Sequence, residues 1–431
     1  ALDEKTVQIV LKEMYSEFSL LEAVVNICIA PKHIWEDIDD IEMEPNLQPI
    51  GSGPFLWKQY EVGISLLFEK NENYWGQVPY VDEVLYKYYG EAEAATMALR
   101  NGDIDCHGQL SSDMIDVVQA DPNIVVEFRW DAPGTNLFYF NHRVKPLDVK
   151  EVRKAVCLAI DYEKRIEYVN NGYAVMRSMV PWVPDDYRND ELVWPGIGKT
   201  EAERIAEANA LLDGLGYAKG PDGIRVADGK RMAYQLLHQS PVSTVRGAEM
   251  IRDSLREIGI ELTLEIGARR TLSGYVGTGG EEKWHVWDMI VTNIGGNPTL
   301  GSIIKRFADD PWTEFSRSTM LGWPHKMTEM PTAEEIAALE PNPIQVLLRQ
   351  IGRETDFDAR YDLMQEMQDL WYEELPLLVL PDTPNIAAYR IDKFTGWNPT
   401  FVWEGWGYST WSKSNTTLTQ VRPIEPIEPI E

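Results

Sequence analysis

Cysteine is nearly absent from this sequence. Cys28, Cys106 and Cys157 are all there are in 431 residues, far apart and odd in number. That excludes a disulfide framework or a thiolate metal cage and leaves three reduced core or surface residues. Basic charge is short as well, with 40 Lys and Arg against 69 Asp and Glu and a net charge of −29. A phosphate backbone or an anionic membrane surface needs a basic face, so nucleic acid and lipid headgroups are excluded as partners. No apolar run approaches a membrane span, and the opening ALDEKTVQIV lacks the basic and apolar regions of a signal peptide. There is no Gly-x-Ser-x-Gly elbow, no His-Glu-x-x-His and no Walker glycine loop. The sequence therefore reads as a non-enzyme, and no cofactor is expected.

What is present suits a large globular protein. A hydrophobic fraction of 44% is ordinary, and the length leaves room for two or three domains. Asp148 is placed as a helix N-cap before Val152, Ala155, Val156, Ala159 and Ile160, which recur on one face. Thr200 and Glu203 form a capping box, and Gly214 and Gly216 stop the helix that follows. Turns at Pro221-Asp222-Gly223 and Ala227-Asp228-Gly229 bracket a short strand. Strand 234–238, a helix through Val245, Ala248, Ile251 and Leu255, strand 260–266 and strand 286–292 then alternate as in an α/β domain. Residues 324–356, rich in Pro and charge, read as an insertion or surface loop. Helix 358–374 leads to strand 377–380. Near the start, 6–11 reads as a strand and 18–29 as an apolar passage.

Residues 51–76, GSGPFLWKQYEVGISLLFEKNENYWG, carry the most information. They read as a glycine turn with Gly51 and Gly53 at positive φ, then two strands joined by Glu61-Val62-Gly63. An Asn-rich turn closed by Tyr74-Trp75-Gly76 completes the stretch. A structural hairpin explains these residues, but their order with the flanking segments is more specific. Upstream lies Ala30-Pro31-Lys32-His33-Ile34-Trp35-Glu36; downstream come Pro79-Tyr80-Val81-Asp82-Glu83-Val84 and the segment from Ala94 to Asp105, ending ALRNGDID. Phe138-Tyr139-Phe140-Asn141, Pro146-Leu147-Asp148-Val149 and the stretch from Val152 to Asp161 follow. In this order the five pieces resemble the family 5 extracellular solute-binding proteins, the peptide, nickel and oligosaccharide receptors of ABC importers.

The resemblance implies an α/β, two-lobed periplasmic-binding-protein-like type II fold with a hinge, here N-terminally incomplete. It places a remnant of a small extra domain at 1–45, lobe I at 46–137 plus 385–431, and lobe II at 138–384. The crossings fall near Phe138–Asn141 and Pro381–Asn385. It also implies a monomeric, extracytoplasmic receptor that closes on a small-molecule or oligomeric solute and delivers it to a membrane permease. A chaperone-like or chemosensory receptor, or a nickel- or haem-type ligand, is the alternative. Asp103, Asp105 and His107 could suggest a metal site, but they match a turn-and-strand feature of the family.

Ligand contacts are expected from Asn293, Gly295, Gly296 and Asn297, with Trp287, Arg269, Trp397, Trp403 and Trp406. In peptide-binding members an Asp in the loop after the strand matching 286–292 holds the α-ammonium. Here 293–299 reads NIGGNPT and has no carboxylate. Either Asp288 or Glu404 serves, or the ligand lacks a free amine, since burying an unpaired ammonium costs several kcal/mol. Trp is abundant, at 15 residues, with Trp130, Trp182, Trp284 and Trp411 also in candidate positions. Indole faces suit pyranose rings, which tilts the expectation towards an oligosaccharide. The terminal Pro-Ile-Glu repeat, 423–431, reads as extended and stiff, the start of a stalk.

Overall fold

The computed structural model describes residues 3, 6, 8, 10, 30–38, 46, 48–142, 144–239, 242–268, 271–272, 287–293, 300–307, 342–397 and 419–424. Residues 129–134, 242–243, 293, 302 and 305–306 are described by backbone alone. Half of the expected strand 6–11, and all of the apolar passage 18–29 and the tail 425–431, fall outside these residues. The chain divides into two compact units, one of Ala1–Ser19 with Gly134–Thr383 and the other, flanking, of Leu20–Pro133 with Pro384–Glu431.

In the flanking unit, after a single helical turn at Lys32–Trp35, β1 (Phe55–Glu61), β2 (Ser65–Lys70) and β3 (Glu83–Lys87) form an antiparallel three-stranded sheet. Gly63 makes the turn between the first two strands with φ of 71°. The register from Phe55↔Lys70 to Glu61↔Ser65 is broken by a bulge at Trp57/Gln59. The positive φ expected at Gly51 and Gly53 is not found. The bend is held by Asn71 instead, which donates its backbone N–H to Pro54 O and its Nδ2 to Gly53 O, each at 2.9 Å. Trp57, Phe68 and Tyr86 stack edge to face at 5.8 Å, and this aromatic ladder adds cross-strand stability.

Helix α1 (Ala92–Asn101), β4 (Cys106–His107) and β5 (Ile124–Gly134) complete the first passage through this unit. The chain returns at β13 (Thr383–Arg390), which lies between β4 and β5. Arg390 donates Nη1 to Leu99 O (3.0 Å) and Arg100 O (3.1 Å), and so caps the carbonyl end of α1.

The other unit is an α/β layer. Its strands β6 (Asn136–Phe140), β9 (Ala233–His238), β10 (Glu261–Ile266), β11 (Met289–Asn293) and β12 (Leu377–Val379) form one sheet in the order β10-β9-β11-β6-β12. Pairs β9/β10 and β9/β11 are parallel, and β6 is antiparallel to both β11 and β12. The helices are α2 (Lys150–Ala159), α3 (Tyr162–Asn170), α4 (Glu201–Gly214), α5 (Val242–Glu257), α6 (Leu300–Phe307), α7 (Pro343–Arg353) and α8 (Phe357–Glu374). Their apolar stripes and the sheet make one core, with Leu137, Phe138, Val156, Leu255, Ile290 and Trp371 among its fully buried members.

Local signals explain most of these elements, with two corrections. The capping box of Thr200 and Glu203 is present at the start of α4. By contrast, α2 is capped by Val149 without a side-chain bond, because Asp148 pairs with Lys145 instead. Residues 343–353 of the expected loop are helical. Asn342 and Gln345 form a capping box there, and Pro343 sits in the first turn, where its missing N–H costs nothing. Residues 324–341 lie outside the described residues. The hairpin of β7 (Val226–Ala227) and β8 (Lys230–Arg231) turns at Asp228 and Gly229, with φ of 49° and 76°. Both values are positive, as a two-residue hairpin turn requires.

Candidate functional site

Four strands of the five-stranded sheet end at one edge. The parallel set β9, β10 and β11 finishes at His238, Ile266 and Asn293, and β12 finishes beside them, since Val379 pairs with Leu137 and Asn293 with Asn136. In open α/β sheets ligands sit outside the carboxyl ends of the strands. This edge carries a cluster of buried polar groups. Gln239 donates Nε2 to Thr292 Oγ1 at 2.7 Å, and the His238 Nδ1 lies 2.9 Å from Gln239 O.

Beyond β12, Leu380 donates its N–H to Asn136 O at 2.8 Å. Asp382 then exchanges two backbone hydrogen bonds with Val175, both 2.9 Å. Its side chain is only 7% exposed. The Thr135 hydroxyl donates to the carboxyl group, and the charge of Arg177 acts on it. Arg177 also pairs with Asp185 at 2.7 Å. Burial outweighs both influences and pushes the carboxyl up to about 7. Oδ1 of Asp382 has no hydrogen-bond partner among the described residues.

Of the nine expected ligand residues, Asn293, Trp287 and Trp397 are described. Asn293 is the last residue of β11, its backbone paired with Asn136 at the edge just described. Gly295, Gly296, Asn297, Arg269, Trp403 and Trp406 lie outside the described residues, as do Trp284, Trp411 and Glu404. Trp287 is a correction. It stands before β11, at the opposite end from Asn293, and is 1% exposed inside the core. Its carbonyl accepts from Asn141 Nδ2 at 2.8 Å, so this segment packs rather than presents an indole face.

Asp288 belongs to that same opposite end. Its carboxylate accepts the Gln235 N–H at 2.8 Å and is pushed up by burial, so it is no substitute for an acid in the 293–299 loop. Trp397 belongs to the flanking unit. Its Nε1 donates to Arg390 O (2.9 Å) and Phe394 O (3.2 Å), and its ring packs on Tyr389 at 5.2 Å. Asp105 pairs with Lys393 at 3.5 Å, and no group of potential metal ligands occurs among the described residues.

Asp382, Thr135 and Arg177 escaped notice in the sequence. The available signal was an isolated acid directly after the apolar run Leu377–Leu380 and Pro381, at the place expected for a chain crossing.

The family model of the bacterial extracellular solute-binding proteins, family 5 (middle), matches residues 1–303. The chain belongs to this family. Among relatives, the oligopeptide-binding protein AppA of Bacillus subtilis is 26% identical over 250 residues, which are 57% of this chain and 45% of AppA. The chain thus spans about half the length of the curated relatives it matches.

Solved structures show the same fold. That of AppA, described as in complex with a nonapeptide, aligns with a TM-score of 0.71 at 20% identity, covering 96% of this chain and 75% of AppA. A periplasmic oligopeptide-binding protein of an ABC transporter from Thermotoga maritima gives a TM-score of 0.72 at 19% identity, with coverages of 94% and 75%. NikZ from Campylobacter jejuni, in complex with Ni(L-His), gives 0.67 at 18%, with coverages of 85% and 68%. At these identities the family 5 member is related to them through its periplasmic-binding-protein fold.

Proposed function

We propose that the chain is the extracytoplasmic solute receptor of an ABC importer and that its solute is an oligopeptide. Family membership carries the receptor role, with AppA, a relative named for oligopeptide binding, as the supporting likeness in both sequence and fold. The tryptophan content, which tilted the sequence towards an oligosaccharide, has another explanation in the described residues. Trp182, Trp194, Trp287 and Trp371 are all buried in the core of the α/β unit, where large rings contribute packing area. Of the eight tryptophans that suggested a sugar, Trp182 and Trp287 are thereby accounted for as core. A receptor of this kind works by shifting its own conformational population when solute binds, and a membrane permease reads the shifted state. No covalent step is required of it.

Titration of intrinsic tryptophan fluorescence with mixed short peptides and, separately, with cello-oligosaccharides tests this reading. Peptides are expected to give a saturable change in the micromolar range, about −8 kcal/mol, and the sugars none. A saturable response to sugars alone overturns the peptide assignment.

A further inference from the structure

We propose that the carboxyl group of Asp382 is the site's anchor for a protonated amine of the solute. The inference rests on the peptide-receptor reading and deepens it by naming the residue that selects a cationic group. Asp382 lies just past the carboxyl end of β12, the strand at one margin of the sheet, and its backbone exchanges two hydrogen bonds with Val175. The side chain is nine-tenths buried, and its Oδ1 has no hydrogen-bond partner among the described residues. A buried carboxylate left short of donors is costly, and the remedy is a charge-assisted hydrogen bond from a cation. The Thr135 hydroxyl supplies one neutral donor. The charged group acting on the carboxyl is Arg177, whose guanidinium pairs with Asp185; Asp185 in turn also takes Arg188 at 2.9 Å.

The titration behaviour agrees with this geometry. A carboxyl pushed up to about 7 is largely protonated below neutrality, even with Arg177 nearby. An arriving ammonium displaces that proton to solvent and forms a –NH3+···−OOC– pair, with no bond formed or broken elsewhere. Affinity for an amine-bearing solute therefore falls as the pH drops below about 7, because protons compete for the same oxygen. The expected contact loop, 293–299, contains no carboxylate in its sequence.

Isothermal calorimetry of the full chain tests the assignment, with mixed short peptides bearing free amines and the same peptides N-acetylated. Measurement at pH 6 in two buffers of different ionisation heat counts the protons released. The wild type is expected to prefer the free amines and to release protons at pH 6 but not at pH 8.5. Asp382→Asn should weaken free-amine binding by about 10- to 100-fold, the worth of a hydrogen bond to a charged group, and leave acetylated peptides unchanged. Thr135→Val should weaken it less, and the thermal transition of each variant verifies that it folds. Equal binding of free and acetylated peptides by both wild type and Asp382→Asn overturns the anchor while leaving the peptide receptor standing. Binding of oligosaccharides with no peptide bound overturns the receptor reading and the anchor together.

Discussion

Replacing Arg153 with Met is expected to destabilise the α/β unit by about 3–5 kcal/mol, the cost typical of breaking a buried charged network. Arg153 is 1% exposed and spends its guanidinium entirely on backbone carbonyls. Nε donates to Leu375 O (2.9 Å), Nη1 to Leu147 O (3.0 Å) and Nη2 to Glu374 O (2.7 Å). Glu374 ends α8, and Leu375 follows it in the left-handed region with φ of 45°. The guanidinium thus satisfies carbonyls that a helix end leaves open and places positive charge at the negative end of the helix dipole. Met fills much of the volume but leaves those buried carbonyls short of donors, at about 1–3 kcal/mol each. Lys keeps the charge while losing the fork, so Arg153→Lys should fall between wild type and Met. Urea denaturation followed by near-ultraviolet circular dichroism measures the difference. A loss below about 1 kcal/mol for Met would contradict this role for Arg153.

The second large effect concerns pH. Asp382→Asn should stabilise the protein at pH 8 and change little at pH 4. The folded state raises this carboxyl from 3.8 to about 7, so between those values the folded chain holds a proton that the unfolded chain has released. Stability from this group is therefore greatest below about pH 4, falls as the pH rises towards 7 and stays low above it. At ~1.4 kcal/mol per pKa unit the loss is on the order of 4 kcal/mol. An amide cannot ionise, and the Thr135 hydroxyl can reverse its role to accept from it, so Asn escapes the penalty. Thermal melts of both proteins at pH 4, 6 and 8 should show the variant gaining steadily on the wild type. Parallel pH profiles would contradict the uncompensated burial of Asp382. A residue that weakens the fold in this way fits a binding site, where stability is commonly given up for function.

The α/β alternation was legible because each element carries its own local signal. The capping box at Thr200, the apolar faces of α2 and α5 and the turns at 221–223 and 227–229 needed no tertiary context. The hairpin of β1 and β2 was also legible, although Gly63 rather than Gly51 or Gly53 takes the positive φ. Pro and charge misled at 343–353, where Pro343 begins a helix instead of breaking one. The sequence expectation put the chain crossings near 138–141 and 381–385; the two units divide at 133/134 and 383/384.

The candidate site was less readable, since burial is a property of the folded chain. Trp287 and Asp382 both follow or precede apolar strands, and nothing local says that one fills the core while the other stands at the carboxyl edge. The end of the strand decides it: Trp287 stands before β11 begins, Asp382 comes after β12 is complete.

The peptide-receptor assignment is tested most directly by native mass spectrometry of the chain mixed with short peptides, cello-oligosaccharides and a nickel salt in equal amounts. Adducts at peptide mass, one per chain, are the predicted result. Adducts at oligosaccharide or metal mass with no peptide bound would contradict it.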